Sequence, residues 1–123
     1  MKSRQSLPVA GLAAARIGIG VALAVAPRRL GRVWLGDVVD QAGARVALRS
    51  MAARDAVLGT GALLALRRGR PVRAWLEAGA AADAADLVAT LLAGSRLPMT
   101  GRVGVPAFAV AGVAAGVVLA RRG

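Results

Sequence analysis

Four apolar stretches constrain this chain more than any other feature of its sequence. They cover residues 7–26, 46–66, 72–94 and 103–120. An α-helix rises about 1.5 Å per residue, so about 20 apolar residues cross the hydrocarbon core of a bilayer. Proline, glycine or arginine residues flank the stretches, at positions where helices begin and end. The sequence therefore predicts an all-α protein with one integral membrane domain, residues 1–123, folded as a four-helix transmembrane bundle.

Two alternatives to this architecture can be weighed on particular residues. The first stretch has the basic residues Lys2 and Arg4 before it, as a cleaved signal peptide would. Arg16 inside the stretch and Pro27 directly after it favour a retained helix. A soluble bundle would need a polar face on every helix, but residues 103–120 contain no polar side chain. Both observations favour four retained membrane spans.

The composition excludes several functional classes. Cysteine, histidine and tyrosine are absent, which excludes disulfides, Cys/His metal sites and Ser–His or Cys–His catalytic pairs. We therefore expect neither enzymatic activity nor a cofactor or metal. The net charge is +11, carried mainly by arginines clustered between the apolar stretches, with no aromatic stacking platform among them. We expect these arginines to contact lipid headgroups rather than nucleic acid.

Residues 28–45 connect the first two stretches and have a mixed composition. Leu30, Val33 and Trp34 recur at helical spacing among charged residues. This pattern predicts a short amphipathic helix at the membrane interface between helices 1 and 2, with Trp34 as its anchor. An ordinary loop is the alternative.

The distribution of basic residues predicts an orientation. Four spans place both termini on one side, together with the loop between the second and third spans. That side carries eight basic residues and no acidic residue, whereas the opposite side carries six basic and two acidic residues. The positive-inside rule then places both termini in the cytoplasm, and the default location is a bacterial inner membrane. The eight basic residues are Lys2, Arg4, Arg67, Arg68, Arg70, Arg73, Arg121 and Arg122.

Charged residues inside the predicted spans are the most informative feature for function. Unpaired charges are costly in a bilayer, so we expect them to face the interior of the bundle and to pair. Arg73 and Glu77 are four residues apart on one helical face and can pair near the headgroups. The remaining charges balance, as three arginines and three aspartates: Arg16, Arg49, Arg54, Asp55, Asp83 and Asp86.

Depth in the membrane predicts which of these charges meet. Counted from the predicted noncytoplasmic ends of the spans, Arg16 lies about 15 Å deep and Asp83 about 16 Å. Arg54, Asp55 and Asp86 lie about 12–13 Å deep by the same count. We therefore predict one ion pair between Arg16 and Asp83 and a second between Arg54 and Asp86, with Asp55 close by.

A polar layer of this kind has two interpretations. Thr90 lies four residues after Asp86, on the helical face that Asp83 and Asp86 share, and completes the layer. The layer could be the proton or ion path of a small transporter or conducting oligomer that uses Asp83 and Asp86. It could instead be a structural network that sets helix register. Balanced charges favour the structural interpretation, because an arginine partner keeps a carboxylate ionised. We therefore expect a structural or accessory membrane subunit.

Small residues predict where helices approach closely. Gly112 and Gly116 form a G-x-x-x-G pattern in the fourth stretch, a spacing that lets helix backbones approach in lipid. This face could form a homodimer, contact another membrane protein or pack within the chain. The sequence leaves these possibilities open.

A resemblance rests on short motifs between Arg54 and Pro98. These are Arg54-Asp55, the following Gly59, the two aspartates of residues 82–86, and Leu97-Pro98. This stretch resembles small multi-span membrane proteins of high-GC bacteria that are grouped only as a domain of unknown function. In those proteins an Arg-Asp pair in the second helix accompanies a two-aspartate motif in the third. The resemblance implies a four-helix membrane fold and no particular activity.

Overall fold

The computed structural model describes residues 2–122, with the side chains of residues 4–122. The side chain of Lys2, one of the eight basic residues on the predicted cytoplasmic side, lies outside these described residues. The described chain is helical and contains no strand, so the all-α prediction is confirmed. Its five helices are α1 (Lys2–Val25), α2 (Pro27–Leu35), α3 (Ala42–Arg67), α4 (Arg73–Ala93) and α5 (Val105–Arg122).

Short connections join these helices. A 3-10 turn, Gly36–Asp40, follows α2, another, Gly94–Arg96, follows α4, and a wide π turn, Thr100–Gly104, precedes α5. Gly36 and Gly94 end their helices with φ angles of 69° and 52°. Glycine adopts a positive φ at low cost because it has no Cβ, so the chain can turn sharply at these two helix ends.

Two of the helices are long and apolar enough to cross a membrane. They are Arg4–Val25 and Thr100–Arg122. In each of them, 17% of an apolar segment of 18 residues is buried within the protein. Helices α3 and α4 have sufficient length, 26 and 21 residues, but they carry more charged side chains. The structure therefore contains two candidate spans by length and apolarity, rather than the four predicted from the apolar stretches.

The four long helices form two closely packed pairs. Helix α1 packs mainly against α3, and α4 packs mainly against α5. A Cβ atom built on Gly20 of α1 would lie 2.6 Å from the carbonyl oxygen of Ala52 in α3. A Cβ on Gly59 of α3 would lie equally close, 2.6 Å, to the carbonyl oxygen of Ala13 in α1. Both glycines therefore bring the two backbones into direct contact.

The G-x-x-x-G face of α5 packs inside the chain. A Cβ on Gly116 would lie 3.1 Å from the carbonyl oxygen of Leu76 and 3.1 Å from the Cβ of Ala80, both in α4. A Cβ on Gly112 would overlap the carboxylate of Asp83. Within the chain this face is covered by α4.

The long helices alternate in direction, which gives the protein two distinct ends. Gln5 donates a hydrogen bond of 2.7 Å to the carbonyl oxygen of Arg122, so the start of α1 meets the end of α5. The α3–α4 connection lies at this same end, beside a buried apolar cluster that includes Val9 of α1. We call this the termini end. At the opposite end, Thr100 donates a 2.6 Å hydrogen bond to the carbonyl oxygen of Val33 in α2. We call this the α2 end.

Large apolar side chains lie on the outside of the protein, whereas the interior is built mainly from small residues. The most buried hydrophobic positions are largely alanines, and the largest fully buried side chains are Leu48 and Val39. In contrast, Leu7, Leu92 and Phe108 are 79%, 82% and 67% exposed. Such large apolar surfaces are unusual in soluble proteins and mark contacts with protein or membrane.

Candidate functional site

The first predicted ion pair is present in the structure and joins the two helix pairs. Arg16 lies in the middle of α1, and its guanidinium reaches Asp83 in α4. Nη2 is 2.6 Å from Oδ2, and Nη1 is 3.3 Å from Oδ1, so both nitrogens bond the carboxylate. The two side chains are only 11% and 16% exposed. A two-pronged contact of this kind is stronger and more directional than a single charged hydrogen bond.

Two glycines make room for this ion pair. A Cβ on Gly79 of α4 would lie 2.9 Å from Nη2 of Arg16, and a Cβ on Gly112 of α5 would overlap the Asp83 carboxylate. The ion pair therefore occupies the space that two side chains would otherwise fill. Gly79 has this role in the structure although its sequence context did not single it out; its spacing of four residues from Asp83 is the signal that could have done so.

The second predicted ion pair also crosses between the helix pairs. Arg54 of α3 contacts Asp86 of α4, with Nη2 2.8 Å from Oδ2 and Nη1 3.2 Å from Oδ1. Arg54 is 32% exposed and Asp86 18% exposed. This pair is therefore less deeply covered than Arg16 and Asp83.

Asp55 connects the two ion pairs. Its Oδ1 atom is 3.2 Å from Nη1 of Arg16 and 3.3 Å from Nη2 of Arg54. One oxygen thus accepts hydrogen bonds from both arginines. Arg16, Arg54, Asp55, Asp83 and Asp86 form a continuous network, which we call the charge cluster.

The charge cluster does not balance, which corrects the charge count made from the sequence. Arg49 is exposed, and its Nε donates to the carbonyl oxygen of Ala24 at 3.3 Å rather than to a carboxylate. Arg49 and Arg54 are five residues apart, so at 3.6 residues per turn they point about 140° away from each other. The charge cluster therefore holds two arginines and three aspartates, with Asp55 as the surplus carboxylate.

Thr90 lies outside the charge cluster. Its side chain is buried, its Oγ1 donates a 2.7 Å hydrogen bond to the carbonyl oxygen of Asp86, and it accepts a 3.1 Å bond from Nε1 of Trp34. Trp34 therefore ties α2 to α4, a protein partner that sequence analysis did not assign to this residue. The indole N–H of Trp34 is the feature that could have indicated such a partner, because a buried tryptophan usually donates this hydrogen to an acceptor.

Other charged groups form local contacts at the surface. The predicted pair of Arg73 and Glu77 is present, with Nε 2.7 Å from Oε1 and both side chains more than half exposed. At the α2 end, Arg32 contacts Asp37 at 2.7 Å and Asp40 at 2.9 Å. The sequence did not predict the contacts of Arg32. They follow from the 3-10 turn, which brings both aspartates back beside α2.

The charge cluster has few of the features of a metal site. Within residues 2–122, no group of three or more His, Cys, Asp or Glu residues is arranged to hold a metal ion. Each of the three aspartates instead faces a guanidinium, which occupies carboxylate oxygens that a cation would use. The arrangement can hold helices in register, and it contains one aspartate more than arginines.

No family model matches this chain, and the comparisons with curated proteins and with solved structures gave no match either. The resemblance based on residues 54–98 therefore stays a prediction. The function has to be inferred from the geometry of the chain itself.

Proposed function

We propose that this chain is a small integral membrane protein in which α1, α3, α4 and α5 all cross a bacterial inner membrane. The charge cluster joins the two helix pairs inside the bilayer, and the protein acts as a structural or accessory subunit rather than an enzyme. Its partners are the lipid bilayer and a second membrane protein. The resemblance of residues 54–98 to four-helix membrane proteins agrees with this proposal.

One observation carries the proposal: the apolar and charged side chains are distributed in the reverse of the soluble pattern. Charged groups at the middle of α1, α3 and α4 face one another, whereas large apolar side chains of the same helices face outward. Val57 of α3 is 62% exposed and Val88 of α4 is 55% exposed. In water this arrangement would leave most of the large apolar surface exposed. In a bilayer the same surface contacts lipid.

Pairing explains how α3 and α4 could enter the bilayer despite their charges. A charged residue at the centre of a span costs about 2.5–3.5 kcal/mol on insertion scales. The apolar α1 carries Arg16 and α3 carries Arg54, and together they supply partners to the three aspartates. Membrane helices tolerate charged residues that face the interior of the bundle and pair with one another in this way. We infer that α3 and α4 insert as part of the assembled protein rather than singly.

The proposed orientation rests on the count of basic residues, which is eight on the side of the termini and six on the opposite side. Ion pairing does not separate the two ends, because Arg68 and Arg70 at the termini end and Arg29 and Arg96 at the α2 end all lack an ion pair with a described residue. Lysine and arginine concentrate at the cytoplasmic ends of membrane helices, and nearby acidic residues change this bias little. We therefore propose that both termini and the α3–α4 connection are cytoplasmic.

Cysteine labelling tests the number of spans directly, because the chain contains no cysteine. Val57→Cys and Val88→Cys place a thiol on the outer surfaces of α3 and α4, and Ser95→Cys and Arg121→Cys place one at each end. A membrane-impermeant maleimide should label Ser95→Cys in intact cells, should label Arg121→Cys only after permeabilisation, and should leave Val57→Cys and Val88→Cys unlabelled in both. Labelling of Val57→Cys or Val88→Cys in permeabilised cells would contradict four spans.

A second candidate function rests on the surplus carboxylate. Asp83 and Asp86 each engage an arginine through two bonds, whereas Asp55 shares one oxygen between two arginines. A proton or ion path through a small transporter or conducting oligomer would therefore use Asp55 in addition to the layer of Asp83 and Asp86. A pH gradient across proteoliposomes separates the two candidates. If the wild-type protein dissipates the gradient and the Asp55→Asn variant does not, transport is favoured. If the gradient persists with the wild-type protein, the structural role is favoured.

A further inference from the structure

A groove lies between the end of α3 and the start of α4, apart from the charge cluster. Its volume is about 640 Å³, which is within the range of small-molecule sites. The walls are mainly apolar, with Val57 and Leu64 on α3 and Trp75 on α4. Arg68 and Arg70 lie at one end of the groove. The groove is therefore apolar along its length and positively charged at its mouth.

The dimensions of the groove match one leaflet of a bilayer. From Val57 to Arg68 the helix rises about 17 Å. Half of the hydrocarbon core is about 15 Å. The ring of Trp75 lies against Gly61, where an added Cβ would overlap the ring, so the indole packs directly on the α3 backbone. A single lipid chain entering at the arginines could thus follow the groove to the middle of the membrane.

The charge at the mouth is available to a ligand. Arg68 and Arg70 are exposed, and neither forms an ion pair with a described residue. The nearest acidic residue along the chain, Glu77, is already paired with Arg73. Guanidinium groups bind phosphate through two parallel hydrogen bonds. A phosphate at the level of the helix ends would therefore meet two free arginines.

We propose that this groove binds one anionic phospholipid of the leaflet at the termini end. Arg68 and Arg70 hold its phosphate, and one acyl chain lies along the groove against Trp75 and Leu64. This inference rests on the proposed membrane location. Charge complementarity selects the occupant, since a zwitterionic lipid would offer the arginines no net negative charge. Basic pockets between membrane helices on the cytoplasmic side bind anionic headgroups in this way.

Native mass spectrometry of the detergent-purified, delipidated protein tests the proposal, with phosphatidylglycerol as the probe and zwitterionic phosphatidylcholine as the comparison. The wild-type protein should retain one phosphatidylglycerol in preference to phosphatidylcholine. Arg68→Gln with Arg70→Gln should weaken retention by about 30-fold. Arg121→Gln with Arg122→Gln is the matched control, since it removes the same charge at the same end outside the groove. That control should change retention by less than about threefold.

A second variant separates a lipid site from a simple anion site. Thr60→Phe fills the groove and leaves both arginines in place. It should reduce phosphatidylglycerol retention, and inorganic phosphate at millimolar concentration should not replace the lipid. Equal losses in the two arginine double variants would overturn the site, as would full retention by Thr60→Phe. If no lipid is retained while Val57→Cys and Val88→Cys remain protected from maleimide, the lipid site fails and the four-span proposal stands.

Discussion

The interface within each helix pair and the interface between the pairs depend on different contacts. Within the pairs, glycines such as Gly20 and Gly116 let one backbone lie directly against the next. Between the pairs, the long side chains of Arg16 and Arg54 reach across to α4 at mid-helix. Apolar contacts between the pairs, such as Trp75 on Gly61, lie nearer the termini end. The first interface relies on close backbone contact, whereas the second adds ion pairs that span the space between the helices.

The difference teaches how a chain of this composition can assemble in lipid. Apolar side chains gain little by leaving lipid for protein, so helices there associate through close packing and polar contacts. Glycine and alanine provide packing along the whole length of a pair, but they specify partners weakly because small residues occur throughout this chain. The ion pairs specify one register, because a charge left without its partner in a bilayer is costly. Four predictions test this division of roles, beginning with the largest expected effect.

Removing one charge should damage the interface between the pairs most. Arg16→Met leaves Asp83 without its main partner and should lower the free energy of unfolding by about 3–5 kcal/mol. Arg16→Met combined with Asp83→Leu removes both charges and should restore most of this loss. SDS denaturation in mixed micelles measures both variants. Equal destabilisation of the single and double variants would show that side-chain packing, rather than charge pairing, holds the interface.

Adding one methyl group tests the interface within a pair. Gly20→Ala places a Cβ 2.6 Å from the carbonyl oxygen of Ala52, so the helices must separate. We expect a loss of about 1–3 kcal/mol. Gly18→Ala is the matched control, because no atom lies within 4 Å of its Cβ position, and it should stabilise the helix by about 0.5–1 kcal/mol. The same denaturation assay compares them, and similar effects of the two variants would contradict the assigned packing.

A smaller effect is expected from the neutral hydrogen bond between Trp34 and Thr90. Thr90→Val keeps the shape of the side chain but removes the acceptor for the indole N–H of Trp34. We expect a loss of about 1 kcal/mol, as for a single neutral hydrogen bond. Trp75→Phe in both backgrounds leaves Trp34 as the fluorescent tryptophan. The emission maximum of Trp34 should then differ between the protein with Thr90→Val and the protein without it. Identical emission spectra would mean that the position of α2 does not depend on this hydrogen bond.

The smallest effect is expected at the exposed pair of Arg73 and Glu77. Both groups are more than half exposed and lie on one helix, so their contact joins neither kind of interface. Glu77→Gln should leave the denaturation midpoint unchanged, because exposed ion pairs contribute little. A marked loss of stability would instead place this pair in a covered environment, such as a contact with another protein.

Much of the candidate site could be predicted from residue spacing. The helical rise converts position in the chain into depth, so spacing alone matches Arg16 with Asp83, and Arg54 with Asp86. The helical character of the chain followed from the length of its apolar stretches. Depth was sufficient for these pairs because Asp83 and Asp86 each have only one arginine on another helix at nearly the same predicted depth.

Tertiary packing decided which face of each helix turns inward, and depth carries no information about it. Arg49 was counted with the interior charges, but it is exposed and donates to Ala24 of α1, which leaves Asp55 in excess. Its spacing of five residues from Arg54 already implied that the two arginines could not share one face. The G-x-x-x-G pattern of α5 is equally compatible with packing against a second copy of the chain and with packing against α4. The fold selects α4, because Gly112 is needed beside the Asp83 carboxylate. Chain spacing sets how far along a helix a residue lies and which residues share its face, whereas the neighbouring helices determine which face turns inward.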